Sequence, residues 1–370
     1  MILLNPGPVT LSQRVRAALA QPDLCHREPE FGDLQQRLRT GLLGVYALDP
    51  ACWSSVLLTG SGTAAVEAML SSLVPPDVRL ITLENGVYGE RLTRIARAHR
   101  IDVTPVHVAW EQMPDLTALD DALAGLEGPV AVAAVHHETT TGRLNDMAAV
   151  GAVCRQHGVN LLVDAVSSFG GEAIGFEDWP VAAVAATGNK CLHGVPGAAF
   201  VIARRQVLDL TPSPGRSLYL DLAGHARAQD AGGTAFTPGI PAFYALEEAL
   251  AELAEQGGWP ARHRRYRALA EQLRAALAAQ GVMPYIPTDD ASVVLRSYHL
   301  PPGLDYATLH DELKAAGFVI YAGQGGLAEI LFRVSTMGAI EDGDMQRLIA
   351  AFERILADRT GSGQQSQEGT

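Results

Sequence analysis

Lysine is nearly absent from this chain: of 28 basic residues only Lys190 and Lys314 are lysines, and arginine supplies the rest. Against 41 acidic residues this leaves a formal net charge of -13, which argues against broad binding to nucleic acid or an anionic membrane. An anionic substrate would be repelled at long range, so local arginines must hold it. Cysteine is scarce too. Cys25, Cys52, Cys154 and Cys191 share no metal-ligand spacing, and prolines break the start, Met1 to Pro8, too soon for a secretory segment. Reduced thiols in a cytoplasmic protein are the expectation. No apolar run approaches a membrane span, since Val130 to Val135 meets two histidines and a glutamate at once. What is present is a hydrophobic fraction of 48% with 19% charged residues, the balance of a chain with a large core. At 370 residues it exceeds one ordinary domain and suggests a large domain joined to a smaller one.

Strand-like and helix-like stretches alternate. Ser12 or Thr10 is placed to cap a first helix reaching about Ala20, and a second helix is expected over 32–46. Strands are predicted over 55–59, 80–83, 102–108, 129–135, 161–165, 181–186 and 197–203, the last following a tight turn and so antiparallel to its neighbour. Helices are predicted between them, over 91–99, 115–126 and 147–157. This alternation predicts an α/β fold with a mostly parallel sheet covered by helices. After Arg204 a polar loop is expected between two Pro/Gly-rich stretches, then a long helical region from Ala242 past Ala279, interrupted near Gly257. Beyond it, strands are expected over 292–295, 318–321 and 330–334, and helices over 305–316 and 341–358. The expected division is an N-terminal segment over 1–15, a large domain over 16–250, a small domain over 251–358 and a disordered tail over 359–370.

Four features stand at predicted strand ends. Gly60-Ser61-Gly62-Thr63 joins a strand to a helix, where unpaired amides and the positive helix end suit a phosphate; a plain helix cap explains such a turn about as often. Tyr88, between glycines, can lie flat on a planar ring or serve as a core tyrosine. Asp164 ends one apolar strand, and Lys190 follows the next, in Thr187-Gly188-Asn189-Lys190-Cys191-Leu192-His193-Gly194. A lysine and an aspartate on neighbouring strand ends are what pyridoxal phosphate chemistry needs, the amine for the Schiff base and the carboxylate for the pyridinium nitrogen. His136 and His137 have no third ligand spaced to join them, so no metal site is expected. Arg27, Arg91 and Arg143 are candidate anion contacts, each read first as a surface or structural charge.

Taken in order, these motifs resemble fold-type I pyridoxal phosphate enzymes of the alanine–glyoxylate aminotransferase group, and within it the 2-aminoethylphosphonate:pyruvate aminotransferases. The resemblance rests on Leu3-Leu4-Asn5-Pro6-Gly7-Pro8, the Gly-Ser-Gly-Thr turn, Glu138-Thr139-Thr140-Thr141-Gly142, Val163 to Gly171, and Asn189 to Gly197, and it runs from residue 3 to about 356. It implies a seven-stranded large domain, a small α+β C-terminal domain and pyridoxal 5'-phosphate as cofactor. Lys190 would be the Schiff-base lysine and Asp164 the partner of the ring nitrogen. Tyr88 would stack on the ring. Ser61, Gly62, Thr63 and Thr140 would line the cofactor site, and Thr237 would reach the phosphate of a partner subunit in a homodimer with shared sites. Arg333 would bind the acidic end of the substrate, with Arg27 as a second contact. The substrates implied are 2-aminoethylphosphonate and pyruvate. Two stretches depart from that pattern: the loop from Cys25 to Phe31 lacks an acidic Trp-Asp-rich form, and Arg333 is not followed by Gly-Asn. The alternatives are a serine- or alanine–glyoxylate transaminase, a lyase or desulfurase, and a non-catalytic binding module. Cys191 is a poor desulfurase nucleophile candidate, since a cysteine there is expected to pack as a small apolar residue.

Overall fold

Apolar runs and amphipathic helices assemble around a seven-stranded sheet in the order 53–60, 197–204, 181–187, 160–164, 130–135, 79–84, 103–107. The computed structural model describes residues 1–213 and 215–364, with side chains as far as Ala357. Only the strand Gly197–Arg204 runs against its neighbours, pairing antiparallel with Trp53–Gly60 and Val181–Thr187; the other pairings are parallel. All seven residues of Val181–Thr187 are buried, because helices cover both faces of a parallel sheet. Side chains alternate between two apolar clusters. Leu57 packs with Phe31, Leu38, Phe200 and Leu246 on one face, while Val56 and Leu58 pack with Met69, Leu92 and Leu162 on the other.

A short helix, Arg205–Leu210, follows the last strand of the sheet, and the polar loop expected between the two Pro/Gly-rich stretches instead contains a second, Leu222–Asp230. The buried face of the second helix includes His225 and Gln229, which hides its period. Gln229 bonds both the N–H of Leu57 (3.0 Å) and its carbonyl (2.8 Å), and so covers the edge of the sheet with polar groups.

The C-terminal sheet orders Leu295–His299, Leu331–Ser335 and Tyr321–Ala322, all antiparallel. The single strand expected over 318–321 is split. Phe318–Val319 pairs in parallel with Ile2–Leu3, which carries the N-terminus onto this part of the molecule. The strand expected over 292–295 begins only at Leu295, because Ser292 and Val293 are held elsewhere: Ser292 N–H donates to the carbonyl of Gly142, and Ser292 Oγ (2.5 Å) and Val293 N (2.9 Å) donate to Glu172. Glu172 also contacts His263 Nδ1 at 3.2 Å, so a buried carboxylate ties the two sheets' surroundings together. The last helix, Asp342–Gln364, passes residue 358, so the first residues of the expected tail are helical; the rest of that expectation lies outside the described residues. No helix among the described residues is long and apolar enough to cross a membrane.

Candidate active site

Polar groups gather where the strands ending at Val135, Asp164 and Thr187 deliver their chains, at the carboxyl edge where open α/β sheets bind ligands. The turn that carries Lys190 is clamped through its backbone. Gly188 N donates to Ala198 O, Gly194 N to Gly188 O and His193 N to Lys190 O. Arg262 donates to the carbonyl of Cys191 at 2.7 Å, and Gly338 N donates to His193 Nε2 at 2.9 Å. The lysine side chain extends past Gly7, where a Cβ would stand 2.9 Å from its Cδ, and its Nζ donates to Pro6 O. Burial pulls the ammonium down to about 8; the neighbouring Cys191 and Asp164 oppose this, and Arg333 and Arg91 reinforce it. Cys191 itself is fully buried, and burial pushes its thiol up to about 12, a poor nucleophile.

Asp164 accepts from Val166 N at 2.9 Å. Burial raises its carboxyl to about 6, held back by that N–H and by the charges of Arg91 and Lys190. A cationic ring nitrogen beside it would favour the ionised form further. Val166 also presses on the Gly-Ser-Gly-Thr turn, since a Cβ on Gly62 would meet its Cγ1 at 2.5 Å. Ser61 caps the helix Gly62–Leu73, and the amides of Gly62 and Thr63 have no acceptor among the described residues. Gly62→Ala should therefore cost about 1–3 kcal/mol of stability through overpacking against a stiff valine, read as a lower melting temperature with faster cofactor loss on dialysis.

Tyr88 lies on the first turn of the helix Val87–Ala98, which starts earlier than the sequence pattern suggests. The helix has no side-chain cap of its own. Glu138, fully buried, takes that role from another strand, its Oε2 accepting from Tyr88 N (3.2 Å) and Gly89 N (3.1 Å). Gly86 makes room for it, as a Cβ there would fall 2.3 Å from the carboxyl carbon. Oε1 of Glu138 accepts from Thr140 N (3.1 Å) and Oγ1 (2.6 Å). Even with four donors, burial raises this carboxyl to about 7. Its capping role had no local signal, because the amides it serves lie about 50 residues upstream in the chain.

Thr140 Oγ1 stands 3.2 Å from the Gln324 carboxamide oxygen, which also accepts from Arg333 Nη1 at 3.3 Å. Arg333 is 3% exposed and is held by the carbonyls of Ala322 (from Nε) and Thr139 (from Nη1), both at 2.8 Å. Its Nη2 has no hydrogen-bond partner among the described residues. Hydrogen bonds thus join Tyr88, Glu138, Thr140, Gln324 and Arg333, and Lys190 lies near enough to feel the charges of Asp164, Arg91 and Arg333. Two sequence candidates stand apart. Thr237 is exposed beside a small cavity lined by Gln35, Thr59, Tyr219 and Phe236, and Arg27 is exposed with no hydrogen bond or ion pair among the described residues. Arg143 is buried against Asp290 (3.0 Å) and Glu111 O (2.5 Å). His136 bonds Ser168 and His137 bonds the carbonyl of Ser167, with both imidazoles pulled to about 4 by burial and hence neutral. A larger cavity of about 690 Å³ opens at the other end of the sheet, between Leu73, Leu123, Val130 and Asn160, away from these groups.

A half-buried amine that feels the charge of a buried carboxylate, with free amides at a glycine-lined helix start, fits a cofactor that carries an aldehyde, a basic ring nitrogen and a phosphate. The family model for aminotransferase class-V matches residues 47–333. The chain belongs to the class-V aminotransferases. It is 36% identical over 360 residues to a 2-aminoethylphosphonate–pyruvate transaminase of Vibrio vulnificus, covering 96% of this chain and 97% of that one. A transaminase of the same name from Pseudomonas putida is 35% identical over the same shares. Among solved structures, an alanine–glyoxylate aminotransferase from Nostoc superposes with a TM-score of 0.89 at 28% identity, over 96% of this chain and 95% of that one. A subgroup IV aspartate aminotransferase from Thermus thermophilus superposes with a TM-score of 0.87 at 28% identity, over 97% and 99%. The α/β architecture expected from the sequence is that of fold-type I enzymes. The cofactor of this class-V aminotransferase is pyridoxal 5'-phosphate.

Proposed function

We propose that this aminotransferase moves the amino group of 2-aminoethylphosphonate to pyruvate, giving phosphonoacetaldehyde and L-alanine. The observation that carries the reading is end-to-end similarity to transaminases of that name, at 34–36% identity over 96% of the chain. Bound pyridoxal phosphate supplies an electron sink for the bond-breaking step. The chain's own residues do the rest. Lys190 anchors the cofactor and carries a proton between the amine-bearing carbon and the cofactor, which an amine pulled toward 8 suits near neutral pH. Asp164 would keep the ring nitrogen protonated, Tyr88 would stack on the ring, Ser61, Gly62 and Thr63 would hold the phosphate, and Thr140, which accepts from Val87 N, would line the cofactor site next to Tyr88. Arg333 offers Nη2 to the phosphonate or to the carboxylate of pyruvate. Exposed Thr237 suits a contact made across a homodimer interface to the partner's phosphate, and exposed Arg27 a second anion contact. A cytoplasmic location belongs to the same reading.

A coupled assay offering 2-aminoethylphosphonate with pyruvate, against serine or alanine with glyoxylate, tests the substrate. Faster turnover of the glyoxylate pairs would overturn it in favour of the nearest alternative. Arg333→Ala is expected to raise KM for 2-aminoethylphosphonate by roughly 30-fold or more, the scale of losing one partner of a buried charged pair. Unchanged KM values would remove Arg333 from the substrate site.

A further inference from the structure

The helix that carries Tyr88 presents a second residue to the site. The Arg91 guanidinium lies over the Tyr88 ring, 4.5 Å from its centroid, and its Nη1 donates to Thr63 Oγ1 at 3.3 Å. Those partners are the aromatic read as the ring stack and a hydroxyl of the phosphate turn. They belong to different elements, the helices Val87–Ala98 and Gly62–Leu73, which pack together. No carboxylate forms an ion pair with Arg91 among the described residues, so its charge stays available within the site. That charge is felt at both reactive ends, favouring the ionised form of Asp164 and the neutral form of Lys190. Arg94, one turn further along, is exposed and has none of these contacts.

We propose that Arg91 is a positioning residue of the cofactor site, a cation that braces Tyr88 against the phosphate turn and offsets the charge of a bound phosphate. This rests on the pyridoxal phosphate reading of the site. Geometry and charge make separable contributions. The flat guanidinium suits a stack on tyrosine and a sideways bond to Thr63, which a lysine ammonium cannot reproduce together. The charge alone is preserved by lysine.

The test uses the holoenzyme of wild type, Arg91→Gln, Arg91→Lys and, as a surface-charge control, Arg94→Gln. One readout is the pH midpoint of the visible cofactor band, which follows protonation at the Lys190 linkage. The other is the rate at which cofactor leaves on dialysis. Removing a nearby cation should raise the midpoint in Arg91→Gln by roughly half a unit to one unit and speed cofactor loss about tenfold, the scale of one charge-assisted contact. Arg91→Lys should restore the midpoint but not the slow release, and Arg94→Gln should change neither. A merely structural role would alter melting without moving the midpoint. An unchanged midpoint and release rate in Arg91→Gln overturn the proposal while leaving the cofactor intact. If Arg91→Gln does not fold, a wild-type release rate in Arg91→Lys overturns the bracing role. A wild-type protein without any visible band, even after incubation with cofactor, would defeat the underlying cofactor reading instead.

Discussion

Replacing Lys190 by alanine is expected to lower amino transfer by roughly 10³–10⁴-fold, the scale of losing a positioned proton carrier, and to abolish the visible cofactor band that borohydride bleaches in the wild type. The site offers no substitute amine. Lys314, the other lysine, is exposed on the helix Tyr306–Ala315, whose Leu309 and Leu313 pack into the C-terminal core. The neighbouring Cys191 is fully buried and its thiol is pushed up to about 12. The variant should still fold, because the turn is held by backbone hydrogen bonds at Gly188, His193 and Gly194 and by Arg262 on the Cys191 carbonyl. Among the described residues the lysine side chain adds its hydrogen bond to Pro6 O and its packing beside Gly7. A melting temperature of the cofactor-free variant at or above that of the wild type, with partial recovery of rate on adding a small free amine, would locate the defect in the missing amine. A borohydride-sensitive band in the variant would contradict the assignment.

Asp164→Asn should slow turnover by about 10²–10³-fold, the scale of one preorganised electrostatic partner, with little change in KM because the proposed function sets it against the ring nitrogen and not the substrate's anionic end. The same substitution should stabilise the cofactor-free chain. The folded carboxyl is raised by burial to about 6 from an ordinary 3.8. A raised acid binds its proton more tightly in the native state, so its penalty is fully present above about pH 6 and is relieved as pH falls toward 4. Asparagine has no such penalty. Cofactor-free Asp164→Asn should therefore be more stable than wild type at pH 8 by up to about 3 kcal/mol, and the difference should vanish near pH 4. Denaturant melts at the two pH values measure it. Equal stability at pH 8 would mean that Asp164 is not held at a cost for the cofactor's sake.

Both predictions concern residues that were legible before any coordinates, and the reason is local. A strand that is apolar at every position and then ends in one charged residue marks a buried sheet with its chemistry at the rim. Asp164 carries that mark, Lys190 follows the neighbouring apolar strand by three residues, and the turn from Gly60 to Thr63 adds the glycines and hydroxyls of an anion cup. The parallel sheet and its antiparallel member were legible for the same reason, since period and turn composition lie within a few residues of one another. The helix Leu222–Asp230 was not legible, because two of its five buried residues are the polar His225 and Gln229, and the partner of Gln229, Leu57, lies 172 residues away. The strand over 318–321 was divided by Ile2–Leu3, more than 300 residues away in the chain.

The sequence by itself determined the candidate chemistry: one lysine just past an apolar strand, one strand-end aspartate and one turn of glycines and hydroxyls suited to an anion, with apolar runs that allow few arrangements besides a helix-covered sheet. Tertiary structure alone decided how the site is held and tuned. It set Glu138 on the amides of Tyr88 and Gly89, bonded Arg91 to the Thr63 hydroxyl of a second helix, and joined Thr140 to Arg333 through Gln324. It also pulled the lysine toward 8 and the aspartate toward 6. Those outcomes depend on burial and on charges brought together from distant parts of the chain. Neither has a signature in a residue's own neighbours.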